Sequence, residues 1–169
     1  MLNPAASIDE NPSPNPFVSP IKKPALSISG PIKIKVVLVG DTAVGKSAMI
    51  TSYLNNQFSD EYEPTVLDVY KGTKNVKKKQ YEIEIHDTSG DEHLGVNLKL
   101  QYKGADCFMI CVAADKPRSL LHENISMWKA KIQEIEAEKP IALILTKGDL
   151  VEMVEEPVTL EQIKSEKIT

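Results

Sequence analysis

Ile32-Lys33-Ile34-Lys35-Val36-Val37-Leu38-Val39 runs directly into Gly40-Asp41-Thr42-Ala43-Val44-Gly45-Lys46-Ser47. The first half alternates and then turns wholly apolar, the pattern of an internal strand in a sheet covered on both faces. The second half fits G-x-x-x-x-G-K-[ST], and residues 46–57 behind it read as a helix. In that setting the loop N–H groups and the helix N-terminus form a concave anion site. Gly40, Asp41, Thr42, Ala43, Val44, Gly45, Lys46, Ser47 and Ala48 are therefore the candidate phosphate cradle. Lys46 is expected to reach the β- and γ-phosphates of a nucleoside triphosphate, and the Ser47 hydroxyl to ligate Mg²⁺. A plain glycine turn has no use for a Lys-Ser pair at that offset.

Outward from this stretch, strand and helix patterns alternate. Residues 66–73 and 81–86 read as two strands joined by the lysine-rich turn Lys74-Asn75-Val76-Lys77-Lys78-Lys79. A helical pattern over 91–102 precedes a strand at 107–113. Residues 117–138 read as a helix, with Leu120, Leu121, Ile125, Trp128, Ile132 and Ile135 at three-and-four spacing. Pro140 breaks it before a strand at 141–146. After Pro157, Thr159-x-x-Gln162 matches a capping box that opens a last short helix. The alternation implies an open α/β sheet.

Seven of the eleven prolines fall within residues 1–31, interleaved with Ser and Asn. That stretch lacks apolar periodicity and reads as a disordered tail, with Pro12-Ser13-Pro14-Asn15-Pro16 as an alternative polyproline ligand. Residues 32–169 make the single domain that a length of 169 suggests. A net charge of −4 argues against non-specific nucleic-acid binding. No apolar run approaches the roughly 18 residues of a membrane helix, and a Met-Leu start excludes myristoylation. Cys107 and Cys111 lie on one strand, about 13 Å apart, too far for a disulfide. The expectation is a soluble cytoplasmic protein, with the cytosolic face of the plasma membrane reached through partners.

Two further motifs complete a nucleotide site. Ile83-Glu84-Ile85-His86-Asp87 ends a strand on a carboxylate, where a second Mg²⁺-linked group is expected, and Gly90 follows where its N–H could face a γ-phosphate. Thr146-Lys147-Gly148-Asp149 follows the strand Ile141-Ala142-Leu143-Ile144-Leu145, and ligands of such sheets bind at the carboxyl ends of strands. A carboxylate at Asp149 can accept from both N1–H and the exocyclic amine of guanine. Adenine offers no such pair.

Taken together, these motifs resemble those of small GTPases of the Ras superfamily. Phe58-Ser59-Asp60-Glu61-Tyr62-Glu63-Pro64-Thr65-Val66-Leu67-Asp68-Val69-Tyr70 resembles the switch I segment of the Rho branch, and Thr146 in place of Asn is also Rho-like. The resemblance implies a P-loop NTPase fold, a three-layer α/β sheet with helices on both faces, binding GTP or GDP with Mg²⁺. It implies that Phe58 packs on the guanine, Tyr62 shields the phosphates, and Thr65 joins Ser47 and Asp87 around Mg²⁺ and γ-phosphate. Lys46, Thr65, Gly90 and Asp91 are the positions it links to hydrolysis. It further implies effector proteins contacting residues 58–70, Asp68 and Tyr70 among them, together with an exchange factor and a GTPase-activating protein.

The departures from that pattern carry their own expectation. Thr42 replaces the second glycine of Gly-Asp-Gly-Ala-Val-Gly-Lys-Thr, and Asp91 in Asp87-Thr88-Ser89-Gly90-Asp91-Glu92 replaces the glutamine that orients attacking water. Thr42 would crowd the γ-phosphate; Asp91 is shorter, has no N–H donor and adds negative charge. Both predict slow hydrolysis. Arg118 is the one arginine and reads as a solvated charge, so no arginine finger is expected in cis. His86, His93 and the third histidine, His122, read as structural or surface residues. The family pattern continues with a sixth strand, a guanine-capping loop and a long last helix, so the domain reads as C-terminally incomplete, without a lipid anchor visible in the chain. The leading function is thus a slow Rho-like switch; the alternatives are a nucleotide-stabilised, non-catalytic scaffold and a degenerate product.

Overall fold

The computed structural model describes residues 30–58, 65–91, 98–116 and 121–166. The proline-rich segment up to residue 29, Tyr62, His93 and Arg118 lie outside them. Five strands form one sheet in the order β2-β3-β1-β4-β5: β1 (Ile32–Val39), β2 (Leu67–Val76), β3 (Lys79–Thr88), β4 (Cys107–Ala113) and β5 (Ile141–Thr146). β1 pairs in parallel with β3 and β4, and β4 with β5, whereas β2 runs antiparallel at the edge. Helices α1 (Lys46–Asn55), α2 (Leu98–Tyr102), α3 (Leu121–Ile135) and α4 (Leu160–Ser165) complete the order.

The apolar run of β1 explains its central position. Val37 and Val39 face one layer, with Phe108, Ile110, Tyr102, Trp128 and Ile132, while Val36 and Leu38 face the other, with Val44, Ile50 and Cys111. Helices α2, α3 and α4 thus cover one face and α1 the other, the three-layer arrangement expected of an α/β sheet. The Thr159 capping box is present: its hydroxyl accepts from Gln162 N–H, and the Gln162 side chain accepts from Thr159 N–H.

The β2–β3 hairpin and helices α1, α2 and α3 differ in their bounds from the sequence reading. The lysine-rich turn contracts to Lys77-Lys78, both at positive φ, and the strands extend through Val76 and from Lys79. Helix α1 stops at Asn55 because Asn56 adopts the left-handed conformation that ends helices. Asp91 is not helical; α2 covers only 98–102, residues 92–97 lying outside the description. The helix expected over 117–138 is described from Leu121 and ends at Ile135, ahead of Pro140.

Candidate nucleotide site

The carboxyl ends of β1, β3, β4 and β5 converge, and each delivers one piece of the site. Gly45 opens α1 at φ 92°, a left-handed conformation suited to glycine, and no side chain caps the helix. The first N–H groups of α1 are therefore left for an outside acceptor, and the helix dipole favours an anion there. Lys46 is buried, and its Nζ donates to Gly40 O at 2.8 Å and Asp41 O at 2.9 Å. Burial lowers its pKa, with Asp87, Cys111 and Asp41 pulling the other way. The loop between Gly40 and Gly45 thus curls around an ammonium bonded only to neutral carbonyls.

Ser47 and Thr65 are 18 positions apart, yet their hydroxyls lie 2.8 Å from one another. Asp87, at the end of β3, is fully buried, and neither carboxylate oxygen has a hydrogen-bond partner among the described residues. Burial raises its pKa, opposed by the nearby Ser47 hydroxyl and the Lys46 ammonium. An orphaned carboxylate beside two hydroxyls is a hard, oxygen-only donor set, and it fits Mg²⁺, which keeps several waters and shares substrate phosphates. Among the described residues no cluster of three or more His, Cys, Asp or Glu offers a rival site.

On the γ-phosphate side, a Cβ on Gly90 would lie 2.3 Å from the carbonyl carbon of Asp41 and from Thr42 N, so only glycine permits this approach. That packing brings the Thr42 backbone beside Gly90, whose chain neighbour is Asp91, and the side chains of Thr42 and Asp91 are both exposed. On the base side, Thr146 is buried and its hydroxyl reaches the carbonyls of Val44 and Val112, tying the cradle to β5 and β4. Lys147 stands at φ 54°, and its Nζ pairs with Asp115 at 2.8 Å. Asp149 is exposed in the 3₁₀ turn Gly148–Met153. Phe58 is 70% exposed. Tyr62 is outside the described residues, so its role stays a sequence expectation.

Sequence reasoning missed three contributors. Trp128 Nε1 donates to Asp41 Oδ1 at 2.8 Å, and Asn124 Nδ2 to Asp41 Oδ2 at 2.7 Å. Helix α3 therefore grips the cradle through both carboxylate oxygens. Asp115 is the third, as the anchor of Lys147. No local signal announces contacts across 83 and 87 positions; Trp128 was legible only as a core residue. Replacing Asn124 with alanine should remove one hydrogen bond to a charged group, at about 1.5–3 kcal/mol. A urea titration checks this: the midpoint falls with an unchanged slope, and an unmoved midpoint means the contact carries no weight.

Residues 35–168 match the Ras family. The chain is similar to the Rho-related GTP-binding protein RhoV of Bos taurus, 35% identical over 150 residues, which cover 88% of this chain and 63% of that protein. It is similar to the Ras-like GTP-binding protein RhoL of Drosophila melanogaster, 35% identical over 121 residues, covering 71% of this chain and again 63% of the relative. The matched region thus spans under two thirds of the length of either relative.

Proposed function

The chain belongs to the Ras family, on its Rho-related branch, and from that premise we propose that it is a guanine-nucleotide-binding switch that hydrolyses GTP slowly and engages effector proteins through residues 58–70. The observation that carries this reading is the grouping of Ser47 and Thr65 beside the unpartnered, buried Asp87. A carboxylate left without partners is costly unless a cation shares its site. Mg²⁺ held by Ser47, Thr65 and Asp87 would offset charge on the β- and γ-phosphate oxygens. Lys46 would exchange its carbonyl partners for phosphate oxygens. The free N–H groups at the start of α1 would bind the phosphates, and Gly90 would place its N–H at the γ end. Asp149 would select the base, with Lys147 held beside it by Asp115.

Thr42 and Asp91 favour slow hydrolysis because the threonine would crowd the γ-phosphate and the carboxylate lacks the N–H donor that, with an acceptor, orients a water. The same two residues support a second reading, a nucleotide-stabilised scaffold that does not hydrolyse. Exchange factors and GTPase-activating proteins belong to the proposal as the partners a Rho-like switch requires.

Base selection tests the reading. In Asp149→Asn the amide keeps one acceptor for N1–H but meets the guanine amine with a donor. The variant should lose guanine-nucleotide affinity and gain binding of xanthosine triphosphate, whose ring carries a carbonyl at that position. Displacement of a fluorescent guanine nucleotide from wild type, and of a fluorescent xanthine nucleotide from the variant, reads both. Unchanged GTP binding by Asp149→Asn would remove the base from this position.

A further inference from the structure

The β2–β3 hairpin carries five lysines between residues 71 and 79, a dense positive cluster in a chain whose net charge is −4. Register sorts its charges by face. Opposed residues of an antiparallel pair point to the same side, and sides alternate along each strand. Lys71 opposes Glu84 and Thr73 opposes Glu82, which puts both glutamates on one face. There Lys71 pairs with Glu84 at 2.8 Å and Lys33 with Glu82 at 4.0 Å. Lys74 opposes Tyr81 and Val76 opposes Lys79 on the other face, and the turn adds Lys77 and Lys78 at the tip. None of these four lysines forms an ion pair among the described residues.

The same face also exposes apolar surface. Val76 is 45% exposed, and Ile32, which pairs with Tyr81, is 43% exposed. The turn itself is notable for its residue choice. Positive φ at both central positions of a two-residue hairpin is the conformation that Asn-Gly satisfies best, and here lysine occupies both. The hairpin tip lies at the amino end of β3, whereas the nucleotide site lies at the carboxyl ends of the parallel strands.

We propose that this face of the hairpin, Lys74, Lys77, Lys78 and Lys79 around Val76 and Ile32, docks the protein on an anionic phospholipid surface, with the nucleotide site turned away from it. Unpaired lysines concentrated at one tip match a surface of fixed negative headgroups, and exposed aliphatic side chains among them suit its interfacial layer. The proposal does not depend on nucleotide binding.

Co-sedimentation of the full chain with vesicles tests it. Phosphatidylcholine vesicles should leave the protein in the supernatant. Vesicles in which about a third of the lipid is phosphatidylserine should pellet it, less so as salt is added. The informative variant is Lys77→Asn with Lys78→Gly, which removes two charges and supplies the residues the turn prefers, so it is expected to fold at least as well as wild type. At about fivefold per lysine near such a surface, partition should weaken roughly 25-fold. Equal sedimentation by the two vesicle types, or undiminished binding of the variant, would overturn the proposal. Polyuridylate bound as tightly as the anionic vesicles at the same salt would also overturn it, by making nucleic acid the partner.

Discussion

Replacing Lys46 with methionine is expected to lower affinity for guanosine triphosphate by roughly 10²–10⁴-fold, at about 1.5–3 kcal/mol for each charge-assisted hydrogen bond lost to the β- and γ-phosphates. Methionine keeps most of the buried stem, so the effect isolates the ammonium. In the wild type that ammonium is buried and held only by the carbonyls of Gly40 and Asp41. Neutral acceptors offset its desolvation incompletely, which is why burial lowers its pKa. Phosphate oxygens are the better partners. Fluorescence titration measures the affinity, and circular dichroism confirms that the variant is folded. Affinity within tenfold of wild type would mean that the loop does not grip phosphates through this residue.

The second large effect concerns hydrolysis. Gly90 packs against the Asp41–Thr42 peptide, so Thr42 and Asp91 border the same space. In the proposed mechanism a water aligned there would need room, which Thr42 would take, and a donor and acceptor to orient it, which a carboxylate cannot supply together. Asp91→Gln alone should help little because the threonine still crowds the water. Thr42→Gly alone should help little because nothing orients it. The double variant should raise single-turnover hydrolysis by roughly 10²-fold, the scale of one preorganised group near the reacting centre. Groups that act as a unit are non-additive. Phosphate release from preloaded GTP reads the rate, with nucleotide occupancy followed in parallel. A wild-type rate already on the order of 10⁻⁴ s⁻¹, as in Ras, would contradict slow hydrolysis. Full recovery in Asp91→Gln would make Thr42 a bystander.

Local signals carried the fold further than long-range ones. β4 and β5 have the bounds their apolar runs imply, and the capping box at Thr159 lies where its three-residue spacing puts it. The β2–β3 hairpin was read too short because lysine is poor both as a strand residue and at positive φ. What extends the strands is cross-strand backbone pairing of Lys74 with Tyr81, Asn75 with Gln80 and Val76 with Lys79. In the candidate site, the loop of residues 40–47 and the strand-end carboxylate Asp87 were legible as local motifs of fixed spacing, and so was the stretch 146–149 at the end of β5. The grip of Asn124 and Trp128 on Asp41 was not, since it exists only once α3 packs beside the loop. Asp115 escaped for the same reason: its partner Lys147 is 32 positions away.

One competition experiment reaches the central claim most directly. The full chain, loaded with a fluorescent guanine nucleotide in Mg²⁺, is challenged with unlabelled GTP or ATP, and the series is repeated with EDTA. Displacement by GTP but not by ATP, and loss of tight binding when EDTA removes the cation, is the predicted result. It follows from the roles proposed for Asp149 in selecting the base and for Ser47, Thr65 and Asp87 in holding the metal. Equal displacement by ATP, or binding indifferent to EDTA, would contradict a Mg²⁺-dependent guanine-nucleotide switch.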